Sequence, residues 1–446
     1  MIALLVCVAA FAACYWAGRR SLGQGLVMLL AFGYFYGILR ANLLTAFSHF
    51  IFDAGLLGLY ASFRWFSPAD ANRSKGAQLW TILLIIWPIV LVPMPFQPLL
   101  ISLVGLRGAI FFIPLLLLGS RLKSKDLLEL SLGLAVLDFV AIAFAGAEYF
   151  LGVERFFPIS PVTQIMYASQ DVAGGFFRIP SIFSSAAAFG GMMIGSIPFL
   201  VGLWMGGEKH LHRMIGLAAI PAALLGVLMS ATRSNFIFGC AIVTFLFFKI
   251  RMSGSQRMIF ILVMAVVAYA ALSNARFQRF KSLDDTDYVS DRIAGSVNRG
   301  FFEILLEYPM GNGLGGGGTS IPYFLQGEVR NPIGMENEYA RILCEQGVIG
   351  LFLWLGFLVW FFQRMPVAFA NGSWATTRRL SWCLVAIGFG TAFIGTGLLT
   401  SIPGTVLIMI GAGWTTVPPE KLRLPVAAPR QRGLRPVHQP PVPVGS

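Results

Sequence analysis

The chain has 446 residues, 57% of them hydrophobic and only 12% charged, with a mean hydropathy of +0.74. A soluble domain with a polar surface is excluded by that composition, which describes an all-α polytopic membrane protein. The net charge of +13 is accounted for by arginines and lysines in short loops at one membrane face, so nucleic acid is not an expected partner.

In lipid the backbone must satisfy its own hydrogen bonds, and about 20 apolar residues make one helical crossing. About thirteen such runs follow one another, near 2–18, 22–39, 42–62, 79–96, 98–119, 128–151, 183–206, 214–230, 235–250, 257–273, 339–363, 380–399 and 402–417. They define a single transmembrane domain over 1–417. The first run, MIALLVCVAAFAACYW, could pass for a secretory signal or a lipoprotein leader ending at Cys14. Its charges, Arg19 and Arg20, follow the apolar stretch, so it reads as a retained helix with its N-terminus outside. All five cysteines, Cys7, Cys14, Cys240, Cys344 and Cys383, fall in predicted helices, and no disulfide framework is implied.

Basic residues recur in every second gap: Arg19 and Arg20; Arg64, Arg73 and Lys75; Arg121, Lys123 and Lys125; Lys209 and Arg213; Lys249, Arg251 and Arg257; Arg378 and Arg379. Those gaps are expected in the cytoplasm, together with a disordered tail over 418–446 rich in proline and arginine. The opposite gaps face outside. Three of them have polar content: the loop from about 152 to 182, the tight turn at Ala231 to Ser234, and a long loop over 274–338 inserted within the transmembrane domain. At roughly 65 residues, that last loop is long enough to suggest function rather than connection.

Within it, SDRIAGSVNRGFFEILLEYP places Ile293, Val297, Phe301, Ile304 and Leu305 at helical spacing, and Tyr308-Pro309 ends the pattern. A short amphipathic helix is expected along the outer membrane surface, with Arg292 and Arg299 on roughly one face. Gly311, Gly313 and the run Gly315 to Gly318 then free the backbone for tight turns and close approach to a ligand. No Gly-Lys-Ser/Thr follows, so GNGLGGGG is not a nucleotide phosphate loop, and a flexible link is the simpler reading. Asp285-Thr286-Asp287 matches the Asp-x-Asp that holds a divalent cation in nucleotide-sugar transferases, but outside the cell it reads as a solvated acidic turn. Arg107 and Asp138 lie in predicted helices, where an ionisable group is costly and generally pairs or lines a cavity; an ion pair between them is one option.

The order of these pieces resembles the superfamily of O-antigen ligases and polysaccharide polymerases. Arg292 leads an amphipathic helix, then come Tyr308-Pro309-Met310-Gly311-Asn312-Gly313-Leu314-Gly315, Glu336-Asn337-Glu338-Tyr339 and Glu345-Gln346-Gly347-Val348-Ile349-Gly350. Upstream, Thr232-Arg233-Ser234 in the tight outer turn resembles the family's Ser-Arg element, and Arg178-Ile179-Pro180-Ser181-Ile182-Phe183 its arginine-led stretch before a helix. The resemblance spans about 178 to 350. It implies a membrane glycosyltransferase of GT-C-like architecture with about 12–13 transmembrane helices, working at the outer face of the cytoplasmic membrane. Such an enzyme transfers a glycan from a polyprenyl diphosphate carrier to a sugar hydroxyl, on another carrier-linked glycan in polymerases or on a lipid A core in ligases. It uses no nucleotide sugar and no cofactor.

That chemistry fits the residues. The leaving diphosphate needs charge at the membrane surface, which arginine supplies bidentately without a metal. Arg178, Arg233 and Arg292 are the candidates, against the plainer reading of interfacial arginines reaching the headgroups. The acceptor hydroxyl needs a general base. Where the family's ligases carry a histidine before the asparagine, this chain has Glu336, and no histidine occurs in the loop. A partly buried glutamate could serve, with inversion at the anomeric carbon; the alternative is that Glu336 and Glu338 only favour the positive end of the next helix. The expected catalytic residues are therefore Glu336, Arg233 and Arg292. Arg178, Asn337, Tyr339, Arg299, Gly313 and Gly315 are expected to bind substrate, and no metal site is expected. Expected partners are the carrier-linked glycan, the acceptor glycan, the bilayer, and a chain-length regulator or flippase. The histidine's absence favours polymerase over ligase. A flippase or other transporter would instead concentrate polar residues near the bilayer midplane, whereas here they cluster outside.

Overall fold

A computed structural model describes residues 1–63, 74–167, 177–249, 300–318, 320–335, 337–393 and 397–419, with isolated positions in 254–269 and at 395. The described residues are helical, with no strand among them. In chain order, α1 (Ile2–Arg20), α2 (Leu22–Tyr34), α3 (Tyr36–Asn42), α4 (Ile51–Ser62), α5 (Lys75–Leu91), α6 (Leu99–Ile110), α7 (Pro114–Ser120), α8 (Ser124–Leu151), α9 (Ala186–Gly206), α10 (His210–Met229) and α11 (Arg233–Lys249) precede the long loop. Within and after that loop come α12 (Gly300–Glu307), α13 (Glu338–Gln363), α14 (Ala375–Thr391) and α15 (Gly404–Thr415).

Six helical stretches among the described residues are long and apolar enough to cross a membrane: α1, α6 with α7, α8, α9, α10 and α13. The pair α2 and α3, bent by 43°, makes a seventh, while α5 and α15 are apolar but shorter. The chain is thus an all-α, multi-pass membrane protein. Several of the thirteen apolar runs yield shorter helices than their length suggests. The run over 42–62 opens with a 3-10 turn, Ala46–Phe50, and only α4 is regular. In the run over 380–399, α14 stops at Thr391 and turns follow. The predicted helix over 257–273 and the tail over 418–446 lie mostly outside the described residues.

The helices pack as an alternating bundle. At one end the chain between α1 and α2 meets the start of α8, where the Gly23 amide donates to Asp126 Oδ1 (3.0 Å) and the Ser21 hydroxyl donates to Glu129. Beyond α15 at the same end, the Arg378 guanidinium reaches the Val417 carbonyl. This is the end expected in the cytoplasm. The opposite end gathers the segments near 43–50, 92–98, 178–185, 230–232 and the described residues of 309–335, linked by Gln97 to Asn312 and Arg330, by Arg178 to Ser230 and Thr232, and by His49 beside Tyr323. At the centre stands α9, whose apolar window is 89% buried against 28% for α1.

Two ionisable side chains on these helices find partners that spacing alone did not indicate. Asp138 in α8 accepts from the Tyr34 hydroxyl and from the Ser196 hydroxyl, each at 2.6 Å. Arg107 in α6 pairs with Asp53 in α4 at 2.6 Å. An Arg107–Asp138 pair is therefore not formed, because α4 rather than α8 supplies the carboxylate beside Arg107.

Candidate functional site

The segment before α9 folds tightly against its surroundings and carries Arg178 to a fixed position. The buried Glu148 at the end of α8 accepts from the Ser181 amide (2.8 Å), and the Ser181 hydroxyl donates to the Ala141 carbonyl (2.7 Å). The Ile38 amide of α3 donates to the Ile182 carbonyl (3.2 Å). This approach requires a glycine next door, since a Cβ on Gly37 would sit 2.0 Å from the Phe183 carbonyl carbon.

Held in this way, Arg178 reaches the turn between α10 and α11. Its Nη2 donates to the Thr232 hydroxyl at 2.5 Å and its Nε to the Ser230 carbonyl at 3.3 Å. Arg233 is the next residue and opens α11. The turn is itself braced: the Ser230 hydroxyl donates to the Val227 carbonyl (2.7 Å), and the Asn235 side chain donates to the Ala187 carbonyl at the start of α9 (3.3 Å). Arg178, far earlier in the chain, is thus anchored to the turn that leads into Arg233, at the end expected outside.

A second group forms where the long loop re-enters the bundle. Asn337 caps α13, its side-chain oxygen accepting from the Tyr339 and Ala340 amides (2.9 and 3.1 Å). The Tyr339 hydroxyl donates to the Phe389 carbonyl (2.8 Å), and its ring lies 4.2 Å from that of Phe393. Gly313 and Gly315, both at positive φ, pack against Phe96 and Gln97 and against Ile101 respectively. In this arrangement the polar atoms of Asn337 and Tyr339 are engaged by the protein. Of the predicted helix before the glycines, α12 is described and ends before Tyr308-Pro309 as expected; Arg292, Arg299 and Glu336 lie outside the described residues, as does Asp285-Thr286-Asp287.

Beneath the glycines is a buried ionic triad. Arg341, 1% exposed, donates to Glu338 Oε1 (2.9 and 2.5 Å) and to Glu345 Oε2 (2.7 Å). The other oxygen of Glu338 accepts from the Gly397 amide (2.7 Å), tying α13 to the turn before α15. Glu345 Oε1 is buried without a hydrogen-bond partner, and a Cβ on Gly317 would come within 3.1 Å of it. Glu338 therefore serves as an ion-pair partner, while the cap is Asn337. Arg341 was not among the expected site residues, although Glu338 three residues before it and Glu345 four after it carried the signal.

Next to the triad the helix breaks at Gly347 (φ 68°, ψ −173°), a conformation essentially confined to glycine. The break lets the Val348 amide donate to the Pro309 carbonyl (3.0 Å) and the Asn312 amide to the Cys344 carbonyl (2.6 Å), so the glycine loop is stitched to α13 by backbone. A Cβ at Gly347 would lie 2.7 Å from the Met310 carbonyl group. Gly347→Ala is expected to cost about 1–3 kcal/mol from backbone conformation alone, read as a lower thermal midpoint of the detergent-purified protein; an unchanged midpoint would contradict this geometry.

Among the described residues no group of three or more His, Cys, Asp and Glu side chains gathers in a metal-binding arrangement. Fold and site together define a multi-pass membrane protein with a braced arginine turn and a glycine loop locked over a buried ionic triad at one end. No protein-family model and no curated protein matches the chain.

Proposed function

We propose that the chain is a surface-polysaccharide polymerase, a glycosyltransferase that moves a glycan from a polyprenyl diphosphate carrier to a sugar hydroxyl at the outer face of the cytoplasmic membrane. The observation that carries the reading is the Arg178–Thr232 hydrogen bond, which sets Arg178 beside Arg233 on a rigid turn. Permanently charged arginines suit a diphosphate, whose negative charge grows as the glycosidic bond breaks. In the reaction, the acceptor hydroxyl oxygen bonds to the anomeric carbon while the carbon–oxygen bond to the diphosphate breaks with its electron pair. The hydroxyl proton passes to a general base, the role given to Glu336, and the anomeric centre inverts. Arg292 adds positive charge for the leaving group.

A ligase would use the same arginines with lipid A core as acceptor, and its family members carry a histidine where this chain has Glu336. A transport reading would build on the buried Asp138 of α8, but both its oxygens have hydroxyl partners. Deleting the gene and resolving the lipid-linked and surface glycans on a gel separates the three. Single repeat units accumulating on the carrier are expected. Full chains on the carrier with none on lipid A would make the protein a ligase, and units retained on the cytoplasmic face would make it a flippase.

A further inference from the structure

We infer that Arg40, His49, Arg107 and the rings of Tyr323 and Phe324 form a binding site for an acidic saccharide, a sugar ring bearing a carboxylate. The inference rests on the polysaccharide reading for the source of such a ligand, and on geometry for the site.

Arg40, in the last turn of α3, has no carboxylate partner among the described residues. Its Nη2 makes one long contact to the Val162 carbonyl (3.5 Å), and its Nε is buried without a hydrogen-bond partner. The guanidinium carbon lies 5.5 Å from the centre of the Tyr36 ring, and the Tyr36 hydroxyl donates to the His49 carbonyl (3.2 Å). Arg107, whose charge like that of Arg40 acts on His49, spends its Nε and Nη2 on a single oxygen of Asp53 and stays 23% exposed. Two arginines against one aspartate leave a net positive site. His49, in the turn outside the crossing helices, adds no charge: burial, then the Arg40 and Arg107 charges, push its imidazole down to about 4, so it is neutral at pH 7.

The aromatic half comes from the long loop. The His49 ring lies 6.0 Å from Tyr323 and 5.6 Å from Phe324, and those two rings stand at 88° to each other, 5.4 Å apart. Both are 42% exposed. The stretch that carries them is pinned at both ends by Gln97, just before α6, which donates to the Asn312 and Arg330 carbonyls and accepts from the Arg330 amide, each at 2.9 Å. Pre-set ring faces suit the C–H faces of a pyranose, and a guanidinium edge suits a carboxylate. A phospholipid headgroup would need the charge alone, which is why the exposed ring pair beside it favours a sugar.

The test uses the full chain in uncharged phosphatidylcholine vesicles, titrated with a fluorescent hyaluronan tetrasaccharide as the acidic probe and a fluorescent chitotetraose as the neutral one. The acidic probe is expected to bind at least about tenfold more tightly, and Arg40→Gln and Tyr323→Leu should each weaken it about tenfold. Tyr323→Leu changes an exposed loop residue, so its thermal midpoint should match the wild type and separate binding from folding. Equal affinity for the two probes, or full affinity in both variants, would overturn the inference. So would complete displacement by phosphatidylglycerol vesicles with no effect of Tyr323→Leu, which would identify a headgroup site. The readout is binding, so a failure to make polymer would count against the polymerase reading and leave this result standing.

Discussion

Replacing Arg341 by methionine is expected to destabilise the protein by about 3–5 kcal/mol, the typical cost of breaking a buried ion pair and stranding its partner charge. Here two carboxylates would be stranded, Glu338 and Glu345, about two turns apart on α13 and both buried. The damage should spread through Glu338, which also holds the Gly397 amide, and through the glycine loop packed against Glu345. The check is the thermal midpoint in detergent, together with the amount of protein recovered from membranes. A midpoint indistinguishable from wild type would contradict the triad. Removing all three charges at once, as Arg341→Met with Glu338→Gln and Glu345→Gln, should recover much of the loss, because no unpaired charge then remains buried.

The second large effect is on activity. Arg178→Ala and Arg233→Ala are each expected to lower the rate of glycan transfer by about 100- to 1000-fold, the scale for losing one donor to developing charge. Neither should reduce accumulation in the membrane, since Arg178 uses its bonds on a turn already braced by Ser230 and Asn235. Lysine at either place should rescue poorly, because a single ammonium cannot make the forked contact. Initial rates with a lipid-linked repeat unit decide this. Rates within about threefold of wild type in both alanine variants would remove the arginine turn from the mechanism.

What could be read from the sequence was whatever depends on local pattern. Apolar runs of crossing length gave the helical membrane architecture, and two of the basic gaps, the one after Arg20 and the one around Lys123, do meet at one end of the bundle, where the Gly23 amide donates to Asp126. The Tyr308-Pro309 stop after α12 and the placement of Arg178 and Thr232-Arg233 on one side were also legible. Partner choice across helices was not. Arg107 takes Asp53 rather than Asp138 because helix neighbours are set by packing, which periodicity does not encode. The extent of α4 was missed for a similar reason: an apolar run over 42–62 looks like one helix until Thr45 and the 3-10 turn after it interrupt the pattern. The glycines were expected to serve a ligand or a link. They lie against α13 and α6, so their smallness is also used in the fold, close to Glu345 and Ile101. The Glu338–Arg341–Glu345 spacing was readable, and its burial was the missing fact.

The central claim is that this chain lengthens a carrier-linked glycan by itself. The most direct measurement is to place the purified protein in vesicles with a single polyprenyl diphosphate-linked repeat unit, with no nucleotide sugar and no lipid A core, and to follow the lipid-linked products by gel. A ladder of products each one repeat longer than the last, with release of free polyprenyl diphosphate, is the predicted result. Unextended single units in the presence of the folded wild-type protein would contradict it.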